Sequence, residues 1–369
     1  MKNKHIAIAV TNDLVSDQRV HKVAETLAYA GCSVVLIGRR LPGSLPVQRQ
    51  YKTIRFSLPF KKNFGFYASY NIRLFIHLLS HHYNFYVSND LDTLPACAMA
   101  RLFTRHPVAL DYHELYTEMP ELIQTPFQRK CWLLLEKIFF KASAVRYTVS
   151  QLIACELNSR YHLPVAVIRN LPFPFDRNQV SPALSANGRK IILYQGVLNV
   201  GRGIEMVIKA MHFIENAVFV IIGEGDIEAD LKVLVQTDKL EGKVIFTGKI
   251  PFENLHAYTL SATLGISLEE DRGINYRYAL PNKLFDYIQA GIPVLVSDLP
   301  EMRAIVEQYK VGEILKSRNI TEFAKQVKDI IENEDKLSYY RSMTETASTE
   351  LNWEKDKLKL LEIYKPLLT

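Results

Sequence analysis

Short β-branched runs, each followed by a segment of helical periodicity, recur along almost the whole chain, and the rhythm breaks once, at prolines and small polar residues near the middle. Such alternation argues for βαβ units and a parallel sheet covered on both faces. Before the break it predicts strands at His5 to Val10, Ser33 to Gly38, Phe85 to Val87, Val108 to Asp111, Ala144 to Thr148 and Val165 to Ile168. Helices fill the gaps over Asp17 to Tyr29, Tyr67 to Ser80, Thr93 to Phe103, Phe127 to Lys141 and Ser150 to Arg160. The break, from Leu171-Pro172 through Gly188, reads as an interdomain linker over 173–188. Strands then resume at Lys190 to Tyr194, Val218 to Gly223, Val244 to Phe246, Leu264 to Leu268, Pro293 to Ser297 and Gly312 to Leu315, and the chain is helical from Ile320 onward. The expected fold class is α/β, with two doubly wound, Rossmann-like parallel-sheet domains at 1–172 and 189–353. A chain of 369 residues is long enough to give each its own core.

The formal net charge of +6 favours anionic substrates or an anionic membrane surface. It does not by itself argue for nucleic acid, and no recognition-helix or RNA-binding signature accompanies it. The four cysteines, Cys32, Cys97, Cys131 and Cys155, are far apart and form no metal-ligand pattern, so free thiols and no metal are expected. The apolar run after the basic start Met1-Lys2-Asn3-Lys4-His5 stops at Thr11-Asn12-Asp13 without a cleavage site. No run approaches the ~20 apolar residues of a membrane span. These features lead us to expect a cytoplasmic protein, working at the inner face of the cell membrane if its acceptor is a lipid.

The most informative stretch is Leu280 to Asp298. Pro281 and Asn282 are helix-start signals, Leu284, Phe285 and Ile288 share a face, Gly291 suits the end of the helix, and Pro293 to Val296 reads as a buried strand. Free N–H groups and the dipole at such a helix start suit a phosphate, and Asp286 lies early on it. Asp286 either tunes that dipole or binds a ligand.

This segment is similar to the N-K-L-F-[DE]-Y-x-x-A-G-x-P-V form found in retaining glycosyltransferases of family four, which have the GT-B fold. The resemblance implies two Rossmann-like domains facing across a cleft, with the last helix (354–369) joining the first domain. It implies a nucleotide diphosphate sugar as donor, with Asp286 on the ribose and Asn282, Lys283 and Leu284 beside it. Gly196, Gly223 and the backbone of Lys249 and Ile250 would complete the nucleotide site. The family presents an arginine just after the glycine and a lysine before a later one; here Val197 occupies the arginine position and Arg202 the lysine position, so Arg202 becomes the phosphate cation. The family's sugar-gripping glutamate, eight positions before Asp286, is here Tyr278, which leaves Glu269, Glu270, Asp271 and Asn275 as replacements.

In the first domain the resemblance assigns sugar or acceptor contact to His113, with Glu114 or Glu118 as further acceptor-contacting groups. The glycine-rich loop common after the first strand is absent. Asp13, Asp17 and Arg19 stand there, either contacting an acceptor or, in the plainer reading, with Asp17 capping a helix and Arg19 solvated. Asp90-Leu91-Asp92 has D-x-D letters but reads as an acceptor-side loop or helix start.

The implied reaction is a metal-independent, retaining transfer in which His113, Glu114, Arg202 and Lys283 carry the chemistry, with no cofactor beyond the donor. The acceptor would be a glycan or lipid-linked hydroxyl in cell-surface polysaccharide or glycolipid biosynthesis. Basic residues interleaved with aromatics over Tyr51 to Tyr86 suit peripheral contact with an anionic membrane, or equally a packed domain with solvated lysines. A nucleotide-sugar epimerase of the same fold and a non-catalytic binding protein are the rival readings.

Overall fold

A computed structural model describes residues 4–15 and 17–368. Met1, Lys2 and Asn3 of the basic start, Ser16 of the first loop and Thr369 of the last predicted helix lie outside the described residues. The chain divides into two compact units, one of residues 1–170 with 356–369 and one of residues 171–355.

The first unit runs β1 (His5–Asp13), α1 (Gln18–Tyr29), β2 (Ser33–Arg39), β3 (Lys52–Phe56), α2 (Asn63–Ser80), β4 (Phe85–Asn89), α3 (Asp90–Thr104) and β5 (Val108–Tyr112). It continues through α4 (Pro120–Ile123), α5 (Pro126–Phe139), β6 (Ser143–Thr148), α6 (Gln151–Tyr161) and β7 (Ala166–Val167). Its seven strands lie in the order β3-β2-β1-β4-β5-β6-β7, all parallel. The strand β3 carries no expectation from the sequence: the Lys-Thr-Ile-Arg-Phe segment is an edge strand, and its alternating polar residues read as part of the basic-aromatic stretch.

The second unit runs β8 (Lys190–Gln195), α7 (Ile204–Ala210), β9 (Ala217–Ile222), α8 (Glu228–Thr237), β10 (Val244–Gly248), α9 (Phe252–Thr259), β11 (Leu264–Ser267) and α10 (Ile274–Arg277). Then come α11 (Asn282–Gln289), β12 (Val294–Val296), α12 (Pro300–Tyr309), β13 (Gly312–Ile314), α13 (Ile320–Ile331) and α14 (Glu334–Glu350). Its six parallel strands are ordered β10-β9-β8-β11-β12-β13. Successive side chains of β8 alternate between two cores, Ile192 and Tyr194 with Phe219, Ile221 and Val327 on one face, Ile191 and Leu193 with Val218, Leu284 and Ile288 on the other.

The stretch 173–188 is not a free linker. It belongs to the second unit, where Arg177 donates to the carbonyls of Ile288 and Gln289 and Leu184 N donates to Ser261 Oγ. The Arg177 bonds cap the C-terminal end of α11, whose last carbonyls have no partner within the helix. The final helix, α15 (Trp353–Leu368), returns to the first unit from Asp356 onward, where Asp356 Oδ2 accepts from Arg169 N and the Tyr364 and Tyr147 hydroxyls lie 3.0 Å apart.

Candidate functional site

In an open parallel sheet the loops separate where the strand order reverses, and ligands bind outside the strand ends there. In the second unit that point lies between β8 and β11. Gly196 follows β8 with φ +141° and Gly223 follows β9 with φ +136°, a left-handed backbone that favours glycine. A Cβ on Gly223 would collide with the Gly196 carbonyl, so the two loops meet backbone to backbone.

The loop after β11 delivers Glu269, whose side chain is fully buried. Ser267 Oγ donates to its Oε2 at 2.8 Å, Lys283 Nζ to its Oε1 at 2.8 Å, and Arg202 Nη1 lies 3.6 Å from Oε1. Burial opposes the charge on Glu269, but Lys283 and Arg202 outweigh it and hold the carboxyl below its usual range. Lys283 Nζ also sits 4.2 Å from the centre of the Tyr194 ring, and the Arg202 guanidinium 5.2 Å from that of Tyr276. Arg318 Nη2 donates to the carbonyls of Leu268 and Glu269 and to Ser297 Oγ. Two cations, Lys283 and Arg202, therefore face one buried carboxylate at the switch point, and Arg318 braces the backbone behind it.

Asp286 stands one turn into α11, and Gln195 Nε2 at the end of β8 donates to its Oδ2 at 3.0 Å. The other end of the Gln195 amide accepts from Thr259 Oγ1. Tyr287 donates to the Leu193 carbonyl and accepts from Gln195 N, pinning α11 to β8. Asn282 is exposed on the first turn, and Leu284 is buried in the core.

The structure thus brings together Gly196, Gly223, Arg202, Lys283, Glu269 and Asp286. Glu269, expected to grip a sugar, is instead buried behind the two cations, with both oxygens engaged. Glu270 pairs with Arg272 on the rim of the same loop, and Asp271 with Arg277. Asn275 is buried and Tyr278 half-buried around the short α10. Lys249, exposed, and Ile250, which leans on the core, follow β10 at the sheet edge. Sequence reasoning missed Gln195, Tyr194, Tyr276, Ser267 and Arg318. Gln195 alone carried a signal, as a buried amide ending an apolar strand directly before a glycine.

The corresponding reversal in the first unit lies between β1 and β4. Here Asp111 is fully buried and takes three hydrogen bonds from the Arg19 guanidinium at 2.7–3.1 Å, while Arg19 Nη1 donates to the Ile168 carbonyl. His113 lies between two carboxylates, Nδ1 3.2 Å from Asp90 Oδ2 and Nε2 3.2 Å from Asp111 Oδ2, the second contact without hydrogen-bond geometry. Burial opposes protonation of His113, yet Asp90 and Asp111 raise its pKa to about 9. Burial and then the neighbouring Asp90 push Asp92 up to about 7, where it accepts from Thr11 Oγ1. The D-x-D letters are thus a helix start facing inward.

Arg19 is not solvated. Asp17 caps α1 by accepting from Val20 N, and Asp13 accepts from Ser44 Oγ and Arg55. Glu118 is neither solvated nor open to an acceptor: Arg129 holds it in two hydrogen bonds and Arg160 in a third. Asp13, Asp17, Arg19 and Glu118, expected on the acceptor side, are thus each held in structural hydrogen bonds. Glu114 is exposed.

Two family models match the chain, "Glycosyltransferase Family 4" over residues 17–171 and "Glycosyl transferases group 1" over residues 176–349. No curated protein matches it. Among solved structures, sucrose-phosphate synthase from Thermosynechococcus elongatus is similar at 19% identity, covering 99% of each chain with a TM-score of 0.80. Anabaena HepE in complex with UDP and glucose is similar at 15% identity, covering 99% of this chain and 100% of that one with a TM-score of 0.77. WaaG, a glycosyltransferase involved in lipopolysaccharide biosynthesis, is similar at 13% identity, covering 97% and 99% with a TM-score of 0.74. At these identities the likeness establishes the fold, two parallel-sheet α/β domains of the GT-B kind.

Proposed function

The chain belongs to the group 1 glycosyltransferases, and from that premise we propose that it moves a sugar, with retention and without a metal ion, from a nucleotide diphosphate sugar to a hydroxyl of a glycan or lipid-linked acceptor. The observation that carries this reading is the pair of cations, Lys283 and Arg202, on buried Glu269 beside the start of α11. Glycosidic cleavage builds negative charge on the departing diphosphate, and cations already in place stabilise it without reorganising. Lys283 and Arg202 are positioned by Glu269 for that role, and Asp286, steadied by Gln195, is suited to accept from ribose hydroxyls. An oxygen of the leaving phosphate would take the proton of the incoming hydroxyl, which needs no side-chain base.

The clamped His113 fits this better than base catalysis does, since a histidine with a pKa of about 9 stays charged at neutral pH and its two ring nitrogens face Asp90 and Asp111. HepE, solved with UDP and glucose, makes uridine donors the first to test. The involvement of WaaG in lipopolysaccharide biosynthesis supports an envelope glycan or glycolipid as product, made at the inner membrane face. The test is transfer from a panel of nucleotide sugars by the wild type and by Lys283→Met. The reading expects a loss of about 10²–10³-fold in the variant, as when one charge-stabilising group is removed from a transition state, whereas equal turnover would refute it.

A further inference from the structure

The helices α2, α3 and α5 pack side by side in the first unit, α2 on α3 and α3 on α5. The helices α2 and α3 each bury one apolar stripe, α5 half-buries Trp132, Leu133, Leu135 and Phe139, and all three expose further apolar side chains. On α2, Tyr70, Leu74 and Leu78 are fully buried, while Ile72, Ile76 and Leu79 are 41–61% exposed. On α3, Leu102 and Phe103 are 76% and 69% exposed, and the Phe103 ring meets Phe75 of α2 at 5.8 Å. On α5, Leu134 and Ile138, one turn apart, are 58% and 54% exposed. Among the described residues, ten of the 22 large exposed apolar side chains lie on these three helices, so they form a patch rather than scattered singles.

The charge exposed at the outer face of the three helices and at their ends is basic, with one exposed carboxylate, Glu121, on the neighbouring α4. The only carboxylates on the three helices are Asp90, Asp92 and Glu136, of which Glu136 and Asp92 are buried and Asp90 faces His113. Lys61 and Lys62 lead into α2, Arg105 follows α3, Lys130 and Lys137 lie on α5 and Lys141 follows it, all exposed. A second copy docking through the same face would set cations against cations. An anionic lipid surface satisfies both features, taking the apolar side chains into its acyl boundary and pairing its headgroups with the rim.

We propose that the outer face of α2, α3 and α5 binds an anionic membrane surface. The proposal deepens the lipid-linked-acceptor reading and rests on it for its purpose, although the binding itself needs no sugar transfer. Its test is flotation of the full chain with vesicles of phosphatidylcholine alone and with phosphatidylglycerol added, in low and high salt. The chain should float with the anionic vesicles, and high salt should weaken that binding. Leu102→Glu with Phe103→Glu, and separately Lys130→Glu with Lys137→Glu, should each reduce it by about tenfold or more. Both variants should keep the wild-type unfolding midpoint and transfer to a soluble acceptor at the wild-type rate. The lysine pair keeps the test open if the apolar pair fails to fold. The proposal is overturned if the wild type floats with neither vesicle or equally with both, or if it sediments as a dimer that Phe103→Glu dissociates. Transfer without flotation would remove the surface alone, and flotation without transfer would remove only the reaction.

Discussion

Glu269 shows how one buried side chain organises a site it does not enter. Its carboxylate sits behind Lys283 and Arg202 and fixes where their charges point. Glu269→Gln would leave Lys283, only 8% exposed, without its counter-charge, and removing one partner of a buried pair costs about 3–5 kcal/mol. Denaturant unfolding of the variant should register that loss. Similarly, Arg19→Met would strand Asp111, which is fully buried, and should cost a comparable amount even with His113 still beside it. The His113 pKa is raised from 6.5 to about 9 on folding, so its contribution to stability is full below about pH 6.5 and disappears as pH rises through about 9. The wild type should therefore lose stability over that alkaline interval and His113→Gln should not. An identical pH profile for the two proteins would contradict the clamp. Sequence reasoning reached His113 but not the clamp, because Asp90 follows a different strand, β4, that only the sheet order brings beside β5.

At the scale of elements, the stretch around α11 was legible because its signals are local: a proline and asparagine to start the helix, a glycine to end it, and an apolar face. What was not legible is what holds the helix in place. Gly265 on β11 leaves room for the Tyr287 ring, and any Cβ there would run into it. Gly265→Ala should shift α11 and weaken donor binding more than it lowers the unfolding midpoint, and calorimetric titration against thermal unfolding would separate the two. Arg177, in a stretch that reads as a linker, ties the C-terminal carbonyls of α11. Nothing local in the sequence marks a proline-rich segment as a strap, since that depends on which carbonyls remain unpaired elsewhere. The edge strand β3 was missed for a similar reason, being held by its pairing with β2 rather than by its own apolar pattern.

For the whole molecule, the doubled alternation was readable because a parallel sheet needs buried strands and crossover helices, and both leave strong periodic marks. Two sheets of seven and six strands follow, each with polar side chains collected where its strand order reverses. The donor assignment rests on one of these collections, and a specific ligand must stabilise the fold that binds it. The most direct test is thermal unfolding with a panel of nucleoside diphosphate sugars, repeated in Asp286→Ala and Lys283→Met. At saturating ligand the wild-type midpoint should rise on the order of 5–10 °C with one donor class, and both variants should lose the shift. A panel that leaves the wild type unmoved, or variants that shift as far as it does, would contradict a nucleotide-sugar site at β8, β11 and α11.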